Sequence, residues 1–164
     1  EKAGAFTSKL YPEDYDLCFR FFKAQLKVLG IPQVLNFWRD RPDRISRTEE
    51  VYLDNSFFEL KVHYFYQLDR AFDRPLVLWG AGRKGKALAK LLGEKEPELQ
   101  WLCENPKKVG KDIYGIMLQD TAVLNDIAKP QILIAVSASE EQEQIANKLK
   151  ALGKVKGQDY WFFV

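Results

Sequence analysis

The chain has 164 residues, 46% of them hydrophobic and 29% charged, with 25 basic side chains against 23 acidic ones. That length holds one ordinary domain, or a small domain with an attached piece, and the near balance of charge gives no general attraction to nucleic acid, so any anion site must be local. The composition is that of a soluble globular protein: no segment approaches the roughly 18 uncharged apolar residues that cross a bilayer, and two distant cysteines (Cys18, Cys103) and one histidine (His63) form no zinc pattern, so no metal site is expected.

The chain begins EKAGAF, with neither an initiator methionine nor a signal-peptide pattern, which predicts a piece of a longer protein. Unpaired cysteines and the lack of a signal predict a cytoplasmic location. From Pro12 to Leu29 the apolar Leu17, Phe21, Phe22, Leu26 and Leu29 recur at helical spacing. Glu13, Asp14 and Asp16 suit the positive end of that helix, and Gly30 is its expected stop. IPQVL then reads as a short strand, followed by a loop that carries Arg39, Arg41, Arg44 and Arg47.

Thr48 and Glu49 to Val51 have the chemistry of a helix cap and first turn. The helix should run to about Phe72, with Leu53, Phe57, Leu60, Tyr64 and Leu68 on one stripe, as a connector between two bodies. From Arg74 onward strands alternate with helices, so the fold class is α/β: a small Rossmann-like domain with about four parallel strands, preceded by a helical N-terminal segment. The strands are PLVLWG, LQWLCE, QILIAVSA and DYWFFV. Helices are expected from Arg83 to Leu92 (Ala87, Leu88, Leu91 and Leu92 inward), near Thr121 to Ile127, and from a Ser139 cap to Gly153, with Gln142 completing a capping box and Ile145, Leu149 and Leu152 inward.

Between the first of these strands and its helix lies GAGRKG. Gly80 permits a tight turn, Gly82 lets backbone approach a phosphate, and Gly85 lets the helix pack on the sheet. Amides at the helix start attract an anion, and Arg83, Lys84 and Lys86 add positive charge. Glu104, 19 residues after Gly85, stands where a ribose-binding carboxylate belongs. Gly80, Gly82, Arg83, Lys84, Gly85 and Glu104 are the candidate cofactor-binding set, for a nucleotide or nucleotide-sugar; the other reading is a Rossmann-like module whose loop is retained for packing. Only one mononucleotide-binding half is legible, and no histidine, tyrosine–lysine pair or catalytic cysteine follows the loop, which disfavours hydride transfer.

WGAGRKGKALAKLL, WLCENPKKVGKDIYGI and ILIAVSA together resemble the small Rossmann-like domains of bacterial surface-polysaccharide proteins, including those of sugar acyltransferases and modules fused to glycosyltransferases. That resemblance covers Pro75 to Val164 and implies that the ENP turn and Val109 to Ile116 lie beside the loop. Tyr11 to Thr48, with its ED pair, PxVL run and arginine loop ending in SR, is similar to the end of the catalytic domain of family 2 glycosyltransferases, inverting enzymes of the GT-A fold.

This second resemblance implies that Asp14 is the general base that deprotonates the acceptor hydroxyl, with Glu13 beside it. Read without it, both are good first-turn residues. Where the family often carries a metal-binding histidine this chain has Arg41, so Arg39, Arg41, Arg44 and Arg47 are either contacts to donor phosphates or a solvated basic loop. The family's divalent metal and DxD motif belong to a section upstream, and Asp14-Tyr15-Asp16, on a helix start, matches DxD by coincidence. The implied organisation is a catalytic-domain tail at 1–48, a connecting helix at 49–73 and a nucleotide-binding domain at 74–164. The whole protein would transfer sugar from a nucleotide-sugar, and this piece alone would be inactive. The rival expectation is a stand-alone NAD(P)- or nucleotide-binding regulatory module. Either allows a second copy of the chain as partner.

Overall fold

The computed structural model describes residues 2–6, 12–43 and 57–164. The chain divides into two units, residues 1–60 and 61–164.

In the first unit, helix α1 spans Glu13–Lys23, with Glu13, Asp14 and Asp16 in its first turn and Arg20 and Lys23 in its last, each sign at the pole of the helix dipole that favours it. The helix stops well short of the expected Leu29. Gln25 adopts a left-handed φ of 53°, its amide donating to Phe22 O and that of Leu26 to Phe21 O, the two bonds of a Schellman cap. A residue other than glycine supplies this stop, so Gly30 is not the cap. Leu26 and Leu29 are left exposed. Ile31 to Leu35 forms no strand and is exposed, since among the described residues no strand lies beside it to offer a ladder. Thr48 to Val51 and Leu53, the expected start of the connecting helix, lie outside the described residues.

Helix α2, Phe58–Leu68, ends four residues before the expected Phe72, which is exposed. Beyond the helix, backbone groups that a longer helix would have satisfied are held by side chains. Buried Gln131 accepts from the Ala71 amide (2.8 Å) and donates to Asp69 O (2.7 Å), while Arg70 donates to Arg74 O (2.8 Å) and, through Nε and Nη2, to both oxygens of Glu96 (2.8 and 2.9 Å). Tyr66 adds its hydroxyl to Glu96 at 2.8 Å. Arg74 in turn bonds Asp159 (2.6 Å) and the carbonyls of Lys129 and Pro130. These two arginines fasten the entry of the sheet.

The sheet of the second unit, residues 61–164, has six strands among the described residues: β1 (Leu76–Trp79), β2 (Gln100–Cys103), β3 (Asp112–Ile113), β4 (Ile116–Asp120), β5 (Gln131–Ile134) and β6 (Tyr160–Phe162). Their order is β3-β4-β2-β1-β5-β6, parallel throughout except for β3 against β4. Five of them are parallel, in keeping with the α/β class and the expectation of about four, and β4 beyond β2 is the added one. Without edge strand β3 the order by sequence is 3-2-1-4-5, the Rossmann arrangement. The chain moves outward from β1 on one side and returns to β5 on the other, so strands of both halves flank β1. This corrects the expectation of a single half.

Two crossovers run in opposite directions, α3 (Arg83–Gly93) from β1 to β2 and α4 (Ser139–Ala151) from β5 to β6, and right-handed connections therefore place them on opposite faces. Val77, Trp79, Leu102, Ile132, Ile134 and Tyr160 pack with Ile145 and Leu149 of α4. The alternate strand residues Leu78, Trp101 and Leu133, wholly buried, face the other way. On that side Phe65 of α2 meets the rings of Trp161 and Phe163 edge-on at 5.2 and 5.9 Å.

The buried stripe of α3 is Gly85, Leu88, Ala89 and Leu92, rotated from expectation so that Ala87 is exposed. In α4 the N-cap is Ala138 and Ser139 already lies within the helix. Gln142, no part of a capping box, uses its amide on Val136 O and Val164 O. Leu152 is exposed, whereas Gly153, at φ +70°, ends the helix as expected. The segment from Thr121 is a 3-10 helix, Thr121–Asp126, capped by the Asp120 carboxylate.

Candidate functional site

At the carboxyl ends of β1, β2 and β5 lies a cleft of about 720 Å³. It stands where the strand order reverses, the place at which α/β sheets take ligands. Three glycines with three different backbone reasons build its floor. Gly80 turns the chain out of β1 at φ +118°, and a side chain there would press on Ala135 O at 3.0 Å. Gly85 lies under the loop, where a Cβ would meet Gly80 O at 2.1 Å, far inside contact distance. Between them Gly82 has ordinary extended torsions and nothing within 4 Å of where a Cβ would stand, which leaves open space in front of the α3 amides.

The loop is pinned from both sides. Trp101, wholly buried in β2, donates its indole N–H to Gly80 O at 2.8 Å, and Lys108, from the loop after β2, donates Nζ to Ala81 O at 2.8 Å. The ladder continues past β1 through Gly80 N to Leu102 O (2.9 Å) and Ala135 N to Trp79 O (2.8 Å).

Of the sequence-derived candidates, Gly80, Gly82, Arg83, Lys84 and Glu104 line the cleft, and Gly85 supports it from beneath. Glu104 follows β2 directly and makes only a loose, solvated pair with Lys148 at 3.9 Å. The charge at the loop is felt beyond it: burial, then the nearby Lys84, pulls the pKa of Lys61 below its usual 10.5, and Lys61 Nζ donates to Phe163 O at 2.7 Å. Sequence reading missed Ser137, Glu141 and Gln144, which enter the cleft after β5 and from α4, and Lys108, whose role rests on a contact across 27 residues. Asn105, in the ENP turn, lines it too.

The candidates of the first unit are elsewhere in the chain. Glu13 and Asp14 are exposed at the start of α1, and Asp14 accepts from the Tyr15 amide. Asp16 is buried and paired with Arg20 at 2.9 Å, so Asp14 and Asp16 do not form a twin carboxylate site. Arg39 and Arg41 are exposed, and Arg44 and Arg47 lie outside the described residues. Among the described residues no three His, Cys, Asp or Glu side chains could hold a metal ion, and no helix is long and apolar enough to cross a membrane.

No protein-family model matches the chain, and no curated protein matches it. Among solved structures the chain is similar to UDP-D-quinovosamine 4-dehydrogenase from Vibrio fischeri, with 22% identity over 48% of this chain and 70% of that one, at a TM-score of 0.38. It is also similar to RSP, a Rex-family repressor, with 20% identity over 66% of this chain and 53% of the repressor at a TM-score of 0.44. The repressor in complex with beta-NADH gives the same identity and TM-score, over 54% of its length. The chain thus spans about half the repressor's length. Likeness at this level concerns the fold alone, and the Rossmann-like assignment of residues 61–164 stands on strand order and glycine loop.

Proposed function

We propose that residues 61–164 form a nucleotide-binding module whose ligand, a nucleotide or nucleotide-sugar, lays its phosphates on the glycine loop and its ribose toward Glu104. The observation that carries this reading is the open position at Gly82, held between two glycines that the backbone requires, at the switch point of the sheet. Among the described residues lining the cleft there is no histidine or tyrosine, and its cysteine, Cys103, is buried. That favours binding, in an accessory or regulatory role, over hydride transfer.

Calorimetry against NAD(H), NADP(H), UDP-sugars and GDP-sugars should give saturable one-to-one binding for one of these classes. Gly82→Asp separates site from scaffold. Aspartate is a good N-cap, so the variant should fold with stability equal to or slightly above that of the native protein, yet bind at least about tenfold more weakly because its carboxylate occupies and repels the phosphate position. Heat from none of the ligands, or equal affinity in Gly82→Asp, would overturn the reading.

The finer proposal concerns the first unit: in the protein to which it belongs, Asp14 is the base of an inverting sugar transfer, Glu13 lies on the acceptor side, and Arg39, Arg41, Arg44 and Arg47 meet donor phosphates. Its support is the resemblance over Tyr11 to Thr48 together with the exposed position of Asp14 at a helix start. The nucleotide module would then serve a sugar-transfer enzyme. Sugar transfer by the protein should fall about a hundredfold or more in Asp14→Asn. Undiminished transfer would remove Asp14 from the mechanism.

A further inference from the structure

On the other flank of the glycine loop is a second hollow, of about 450 Å³. It shares Ala81, Gly82, Arg83 and Lys108 with the main cleft and adds Lys86 and Tyr114. The two spaces therefore meet at the phosphate position, but their charges differ. The cleft carries Glu104 and Glu141 beside its cations, whereas the hollow is lined by Arg83, Lys86 and Lys108 with no carboxylate among its described lining residues. Those cations come from two separate segments, α3 and the loop after β2. Tyr114 arrives from a third, the β3–β4 turn, where Tyr114 and Gly115 both take positive φ, 61° and 78°. A left-handed tyrosine is uncommon, and this turn directs it to the rim of the hollow.

We infer that the hollow is a second anion subsite, so that the ligand carries a phosphate beyond those laid on Gly82. This deepens the proposed nucleotide-binding function and rests on it. The carboxylate of Glu104 repels an added phosphate on its own side, and the three cations accept one on theirs. With the ribose toward Glu104, the extra group is the outer phosphate of a longer 5′-polyphosphate chain.

Titration calorimetry would compare adenosine and uridine 5′-diphosphates with the 5′-triphosphates, and the 5′-monophosphates with the 2′,5′- and 3′,5′-bisphosphates. The triphosphates should bind about tenfold or more tightly than the 5′-diphosphates, whereas a ribose phosphate should bring no gain over the 5′-monophosphates. Lys86→Met, which keeps the stem and removes the charge of a residue outside the main cleft, should erase that advantage while leaving diphosphate affinity unchanged. If the diphosphates bind and the triphosphates gain nothing, if a ribose phosphate gives the gain instead, or if the advantage survives Lys86→Met, the subsite is refuted and the cleft reading stands. If no nucleotide of either series binds, both fall.

Discussion

Gly85→Ala should lose both stability and ligand binding, because the smallest possible addition collides with backbone. The new Cβ would lie 2.1 Å from Gly80 O, and Gly80 cannot give way: its carbonyl is held by the buried Trp101 indole, its amide by Leu102 O, and Ala135 O stands 3.0 Å from where a Cβ of its own would be. Overpacking against flexible side chains costs about 1–3 kcal/mol, and here the obstacle is main chain, so a loss of about 3 kcal/mol or more is expected. For a unit of this size that is a fall of at least about 10 °C in Tm. Because α3 is forced away from the loop, nucleotide affinity should disappear in the protein that still folds at low temperature. The contrast with Gly82→Asp, three residues away, is the sharper check: one glycine keeps the fold and the other keeps the space. A Gly85→Ala protein with native Tm and native affinity would refute the packing account of the third glycine.

Arg70→Ala should be the costliest side-chain truncation outside the core. The Arg70 side chain is 4% exposed and that of Glu96 13%, and their paired bonds are joined by Tyr66. Removing the guanidinium strands a carboxylate in a half-dry place and releases the carbonyl of Arg74, for a loss of about 3–5 kcal/mol by urea denaturation near neutral pH. Arg70→Lys should recover little, since an ammonium cannot span both oxygens.

The same pair sets the response to acid. The Arg70 guanidinium, working against burial and aided by the Tyr66 hydroxyl, holds the Glu96 carboxyl below its usual 4.5. A depressed carboxyl stabilises fully above its unfolded pKa, and the contribution is lost as pH falls through the folded value. At Asp159 burial pulls the pKa up, but the Val155 amide and Arg74 outweigh it and hold it below 3.8, with the same sign of effect. Asp69, raised by burial alone, partly opposes them. Native protein should therefore lose stability below about pH 4.5, and Arg70→Ala should show a visibly shallower acid limb. An equally steep limb in the variant would show that Glu96 does not govern it.

The glycine loop could be read from sequence because each glycine answers a local need: a positive φ, an open space, a close approach. What surrounds the loop could not. Ser137 and Gln144 reach the cleft only because β5 lies beside β1, a fact of strand order that no local pattern carries. The β3–β4 hairpin was hidden by its own turn, since Tyr-Gly lacks the Asn-Gly or Asp-Gly cue and each strand is short. With β4 missed, the sheet lost its fifth parallel strand and its second half went unrecognised. The errors at Gln25 and Leu68 share another cause. Both helices stop where side chains or an unusual left-handed residue satisfy the backbone, and periodicity continues past the stop.

The bond from Trp101 to Gly80 also makes the indole part of the loop's electronic surroundings. Its emission answers to a dry environment and to that carbonyl dipole, so movement of the loop should alter the signal of a native fluorophore. The molecule thereby carries an optical marker at the place where a phosphate would settle.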